Sequence, residues 1–309
     1  MNEFELIGRY FTRAPRRALQ GVGDDCARVA PAPGSELVLT ADMLLEGRHF
    51  FPGADPRSLG HKALAVNLSD LAAGGATPRW FMLAIALREA DEAWLAAFTE
   101  GLFALADRFD IELVGGDTTR GPLLTIAITA MGEAPSGRAL GRAGARPGDG
   151  VWVSGAVGGA ALALVHPELE GATRRLHRPE PRVALGEGLR GIASAAIDVS
   201  DGLAGDLCHL LERSAVGARI AYERIPKDEA FAGLNEPNTE RRCVLSGGDD
   251  YELVFTAPDA HAGALGELGR ALDLPLTRIG VIEAEPGLRI EDAGGRLIDF
   301  GGGYDHFAR

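Results

Sequence analysis

The chain has 309 residues, enough for one large domain or two ordinary ones, and its 44 acidic against 31 basic residues give a formal net charge of −13. It shows no basic stripe for nucleic acid and no apolar run near the roughly 18 residues needed to cross a bilayer, so neither partner is expected. Cys26, Cys208 and Cys243 lack Cys-x-x-Cys spacing and Met1–Glu5 lacks a signal peptide's basic and apolar regions, which together predict a reducing, cytoplasmic location without disulfides or zinc.

In chain order, Phe4, Ile7 and Phe11 fall at helical spacing and predict a short helix over 3–12. Gly21 to Ala27 is too glycine-rich for a helix and carries Asp24 and Asp25. A strand is expected from Glu36 to Asp42, and a helix from Arg57 to Ala76. Within that helix Asn67 and Asp70 share a face, and Asp70 sits in an apolar helix end, where a buried carboxylate is costly unless paired or metal-bound. Further strands are expected at 81–87, 111–114 and 123–131, with an amphipathic helix at 91–107. Alternation of this kind indicates a layered α/β domain.

Between about 133 and 150 the composition shifts to Gly, Pro, Arg and Ala, the best candidate for a domain boundary. The expected division is an N-terminal domain over 1–137, a linker over 138–150 and a C-terminal domain over 151–309. The second part opens with a strand at 151–154 and a glycine-rich turn leading into a helix. A strand ending at Asp198, a helix at 203–214 and strands at 218–222 and 251–256 follow. The last expected elements are a helix near 260–272 and strands to about 297.

Across this framework one pattern recurs, an apolar run followed by Asp, Gly and small polar residues. It occurs at Gly23-Asp24-Asp25, Thr40-Ala41-Asp42, Asn67-Leu68-Ser69-Asp70, Gly115-Gly116-Asp117-Thr118-Thr119, Asp198-Val199-Ser200-Asp201-Gly202 and Ser246-Gly247-Gly248-Asp249-Asp250. Magnesium takes oxygen ligands and is held by one or two carboxylates plus substrate phosphates. Glycine beside an Asp lets backbone N–H groups approach phosphate oxygens. Taken singly each site has a plainer reading: Ser200 or Asp201 as the cap of a helix starting at Gly202, the paired-Asp segments as turns, His49 as a surface imidazole, Tyr304 as packing. Their coincidence favours a shared magnesium-phosphate site. No P-loop, zinc-hydrolase, nucleophile-elbow or protein-kinase motif is present.

These motifs, from the first helix to Gly303-Tyr304-Asp305-His306-Phe307, resemble those of the thiamine-monophosphate kinase family. The resemblance implies ATP-dependent phosphorylation of thiamine monophosphate to thiamine diphosphate. It also implies an α/β, two-domain aminoimidazole ribonucleotide synthetase-like fold with mixed sheets and packed helices, an active site completed by the C-terminal domain, and a homodimer formed through the N-terminal domains. The implied magnesium ligands, for several ions, are Asp25, Thr40, Asp42, Asp70, Asp117, Asp198 and Asp201. The implied ATP contacts are Gly116, Asp117, Arg142 and Ser200, and the thiamine-phosphate contacts His49, Asp249 and Tyr304. Asp42 and Asp117 are expected to hold the ions on the transferring phosphates. Two departures stand out: Ala41 removes a hydroxyl that relatives often carry, and Asp249 is one methylene shorter than the Glu of some relatives.

The chemistry suits these residues. A phosphate monoester with a second pKa of about 6 is already ionised at neutral pH, so no general base is required. The difficulty is repulsion between two anions, which metal ions relieve. The alternatives are another ATP-dependent superfamily reaction, aminoimidazole ribonucleotide or selenophosphate synthesis, or a non-catalytic nucleotide-binding protein.

Overall fold

The computed structural model describes residues 2–300; Tyr304, an expected substrate contact, lies outside them. The chain divides into two units, one of residues 1–71 and 76–137, the other of 72–75 and 138–309.

The first unit begins with α1 (Glu3–Leu6), capped by Asn2 through a reciprocal bond pair with Glu5. A π-helical turn, Ile7–Phe11, carries it on. Its remaining elements are β1 (Ser35–Leu45), α2 (Pro56–Ala73), β2 (Thr77–Leu87), α3 (Glu92–Arg108), β3 (Glu112–Arg120) and β4 (Thr125–Pro135). The sheet order is β1-β4-β2-β3. Neighbours are antiparallel except β2 and β3, a parallel pair joined by the crossover helix α3. Asp91 starts α3 by accepting the N–H groups of Ala93 and Trp94. Trp80, Phe81 and Ile85 of β2 are buried, as are Leu64, Leu68 and Leu71 of α2 and Leu95, Phe98 and Leu102 of α3.

The opposite side of this sheet is apolar and open. Leu37, Leu39 and Met43 of β1 and Met82 of β2 are 38%, 60%, 54% and 38% exposed. On β4 they face Glu133, Met131, Ala127 and Thr129 respectively.

The second unit comprises β5 (Gly150–Ser154), α4 (Gly159–Ala163), α5 (Glu170–His177), α6 (Val183–Gly188), β6 (Ala195–Asp198), α7 (Leu203–Ser214) and β7 (Gly217–Ala221). It continues with α8 (Pro237–Ser246), β8 (Leu253–Ala257), α9 (Ala262–Ala271), β9 (Leu276–Glu283) and β10 (Gly287–Glu291). Its sheet runs β10-β7-β9-β5-β8-β6. Every residue of β8 is buried, which explains its run Leu253-Val254-Phe255, and the one polar side chain, Thr256, is hydrogen-bonded to the Ser194 hydroxyl. The core gathers Val151, Val153, Ile197, Leu207, Leu210, Val254 and Ile279.

The expected strands are present but longer in the first unit. The largest difference is at β3, expected to stop at Val114 and in fact continuing through Gly115-Gly116-Asp117-Thr118-Thr119-Arg120. Pairing with β2 supplies what glycine's low strand propensity does not. Helices α5, α6 and α8 were not expected. They are short, and α5 and α8 are rich in Arg and Glu, so tertiary contacts rather than periodicity decide them.

Candidate active site

Strand alternation places the first-unit residues. Thr40 and Asp42 of β1 are paired with Ala130 and Ile128 of β4, on the buried side of the sheet, whereas Ala41 between them is exposed on the other. The Thr40 hydroxyl donates to the Asp70 carboxylate at the end of α2. Asp70 is half-buried between fully buried Leu68 and Leu71, less enclosed than the apolar helix end suggested. Asn67, one turn earlier, is fully buried, and its side-chain oxygen makes no hydrogen bond. Thr40, Asp42 and Asp70 thus form an oxygen-only group on one side of the sheet. That donor set fits a hard divalent cation such as magnesium. Among the described residues no three His, Cys, Asp or Glu side chains converge as a metal centre.

Asp117 stands apart from that group. It pairs with Ala84, hence lies on the open side of the sheet, and β3 forms one edge while β1 forms the other. Two intervening strands separate the edges by about 14 Å. Within this unit Asp42 and Asp117 are therefore not brought together. At Gly116, φ is +153° and an added Cβ would lie 1.8 Å from the Leu83 carbonyl oxygen. Only glycine fits there. Gly115, Gly116, Asp117 and Thr118 line a small pocket with Leu83 and Val22, so the exposed loop bearing Asp24 and Asp25 approaches β3.

His49 follows a turn in which its backbone N–H donates to the Leu45 carbonyl. The Leu45 N–H in turn donates to His49 Nδ1 at 3.0 Å. The neutral ring therefore carries its proton on Nε2, a donor suited to an anionic oxygen.

In the second unit the carboxylates sit on loops at strand ends. Asp198 closes β6 and is 3% exposed; Ser200 and Asp201 follow, half-buried. Neither caps α7. Its cap residue is Gly202, with no side-chain cap bond. Instead Asp206, inside the helix, turns back and accepts the N–H groups of Ser200, Asp201 and Gly202 at 3.0–3.1 Å. Burial pushes the Asp206 carboxyl up to about 7, against the pull of those donors.

Alongside runs the 246–252 segment. Asp249 and Tyr251 donate their N–H groups to the carbonyls of Ser200 and Val199. A Cβ at Gly248 would meet the Ser200 carbonyl oxygen at 2.4 Å, so this approach also requires glycine. Asp250 is buried and accepts from the N–H groups of Gly158 and Ala160 at 2.6 and 3.3 Å. Burial raises its carboxyl to about 8. Glu252, 1% exposed, accepts two bonds from Arg182 at 2.7 and 2.5 Å and one from the Ser154 hydroxyl at 2.6 Å.

Arg142 is exposed, and its carbonyl receives the Ser214 hydroxyl at 3.0 Å. Ser214 ends the 12-residue helix α7, about 18 Å from the Ser200 end. The structure thus anchors Arg142 and Ser200 at opposite ends of one helix.

Sequence reasoning gave no role to Asp206, Glu252 and Arg182, and none to Asp250 beyond its place in the 246–250 motif. The available signal was acidic residues crowded at the mouth of buried elements. Their partners are backbone groups or lie 70 residues away in the chain, which spacing does not reveal.

The N-terminal domain model of AIR synthase related proteins matches residues 23–134, and the corresponding C-terminal domain model matches 146–293. A thiamine-monophosphate kinase from Salmonella typhimurium is 45% identical over 320 residues, covering 99% of this chain and 98% of that one. The crystal structure of thiamine-monophosphate kinase from Stenotrophomonas maltophilia K279a superposes with a TM-score of 0.86 at 46% identity, covering 96% of each chain. AaThiL complexed with AMPPCP and TMP superposes at 0.78 with 31% identity, over 90% of this chain and 89% of that one. The chain belongs to the AIR synthase related family, among its thiamine-monophosphate kinases.

Proposed function

We infer that the protein transfers the γ-phosphoryl group of ATP to thiamine monophosphate, giving thiamine diphosphate. The near-full-length identity to thiamine-monophosphate kinases and the likeness to AaThiL complexed with AMPPCP and TMP support the reaction. The observation that carries it in this chain is the oxygen-only group on β1 and α2, with the Thr40 hydroxyl bonded to Asp70 and Asp42 two residues along.

In this reading Thr40, Asp42, Asp70 and Asp117 of the first unit hold magnesium, joined by Asp25, and Asp198 and Asp201 do so in the second. The ions supply charge neutralisation between two phosphate groups. Gly116 lets a phosphate oxygen approach the β3 backbone, and Ser200 offers a hydroxyl to ATP from a loop that Asp206 holds still. Arg142 adds a permanent positive charge for ATP. His49 presents Nε2–H to the phosphate of the acceptor. The acceptor oxygen is already ionised, so no residue is assigned as its base. Tyr304 completes the proposed substrate contacts. Purified protein incubated with ATP, Mg²⁺ and thiamine monophosphate should accumulate thiamine diphosphate, measured by chromatography, and chelation should stop it. Turnover of a purine-pathway amidine instead would overturn the assignment.

A homodimer formed through the first unit is part of the same proposal. The open face bearing Leu37, Leu39, Met43 and Met82 supports it, since soluble monomers rarely leave so contiguous an apolar patch uncovered. Sedimentation equilibrium should give a dimer for the wild type and a shift toward monomer for Leu39→Glu; an unchanged mass would refute this interface. The three cysteines, none of them paired, support a cytoplasmic location.

A further inference from the structure

Two residues with side chains hold left-handed backbone one place apart in the second unit, Asp249 at φ +68° and Tyr251 at φ +53°. Such conformations persist in non-glycine residues only where the surroundings over-determine them. Here those surroundings are explicit. The N–H groups of Asp249 and Tyr251 are fixed on Ser200 and Val199 at 2.9 and 2.8 Å. Between them Asp250 is drawn inward onto the Gly158 and Ala160 N–H groups. Beyond them Glu252 is clamped by Arg182 and Ser154.

With 250 and 252 locked inward, the Tyr251 hydroxyl donates to Asp249 Oδ1 at 2.9 Å. Tyr251 is 8% exposed and Asp249 is half-buried. The tyrosine is thus a rigid, enclosed support, and the carboxylate is the member that solvent or a ligand reaches. The outer torsion of an Asp side chain is broad and roughly two-fold. One directional bond to a phenol narrows it to a single setting.

We propose that Tyr251 is the positioning residue for Asp249, orienting its carboxylate toward the cationic, amine-bearing heteroaromatic end of thiamine monophosphate. This rests on the reading of Asp249 as a substrate contact. A carboxylate complements a positive ring or an amino donor and repels phosphate, so its orientation governs affinity for the acceptor and leaves ATP unaffected.

The test is steady-state kinetics of Tyr251→Phe, which keeps the ring and removes the donor. KM for thiamine monophosphate should rise about tenfold, the loss expected for one hydrogen bond to a charged group. KM for ATP and kcat should stay within about twofold. On an Asp249→Ala background the same change should add nothing, because the two residues act as one unit. An equal rise in both KM values, or effects that multiply in the double variant, overturns the proposal. A measurement on the wild type stands beside this: the ¹³C resonance of the Tyr251 ring should move when thiamine monophosphate is added and stay put with a non-hydrolysable ATP analogue. A resonance indifferent to thiamine monophosphate also overturns it. Failure of the wild type to form thiamine diphosphate would instead sink the functional reading.

Discussion

The two units carry the same kind of residue in different ways. In the first, Thr40, Asp42 and Asp117 ride on regular strands, and sheet register alone decides which side of the sheet each one serves. In the second, Ser200, Asp201 and Asp249 sit on loops, each set in place by another, buried acid: Asp206 under 200–202, and Asp250 and Glu252 around 249 and 251. A strand needs only its neighbours' backbone to aim a side chain. A loop needs dedicated polar groups, and their burial shows in the raised carboxyl of Asp250.

The largest expected effect that sharpens this contrast is in the first unit. Asp42→Asn should lower kcat by about 100-fold or more if the residue is a metal ligand, with the unfolding midpoint little changed, because the backbone ladder to β4 holds β1 along its whole length. A wild-type rate would break the assignment. In the second unit the order should reverse, with stability lost first. Arg182→Met removes the two short bonds to Glu252, which is 1% exposed, leaving it the Ser154 hydroxyl and Arg175 at 3.8 Å, and should cost about 3 kcal/mol in urea denaturation. A loss below about 1 kcal/mol would mean that the clamp does not hold the loop.

A further effect concerns pH. Burial holds the Asp250 carboxyl near 8, well above its value in the unfolded chain, near 3.9. Between about pH 4 and 8 the folded protein therefore keeps a proton that the unfolded chain releases, and stability falls as pH rises through that window. Asp250→Asn should flatten this slope, measured as urea midpoints at several pH values. An unchanged slope would place the titration elsewhere.

The layered alternation of strands and helices was legible from periodicity, because burial on one face writes itself into the sequence every second or fourth residue. The candidate carboxylates were legible from their glycine neighbours. What the chain did not disclose is how they are oriented. Asp42 and Asp117 look equivalent as motifs, yet pairing puts them on opposite edges of the sheet. Ser200 and Asp201 look like helix caps, yet neither caps α7, and Asp206 instead holds their own N–H groups. The supports of Asp249 come from β5, the turn after it and the segment before α6, which only the folded chain brings near.

One feature of β3 has a wider bearing. Its register against β2 steps from Leu113 opposite Phe81 to Gly115 opposite Met82, leaving Val114 as an extra residue. Without the bulge, the same residues in continuous register would pair Asp117 with Ile85, on the apolar core side of the sheet instead of the open one. The bulge, rather than side-chain identity, therefore decides which side of the sheet the following segment serves. Val114 can be exchanged for another apolar residue with modest consequence. Its deletion would remove the bulge and leave Asp117 opposite Ala84.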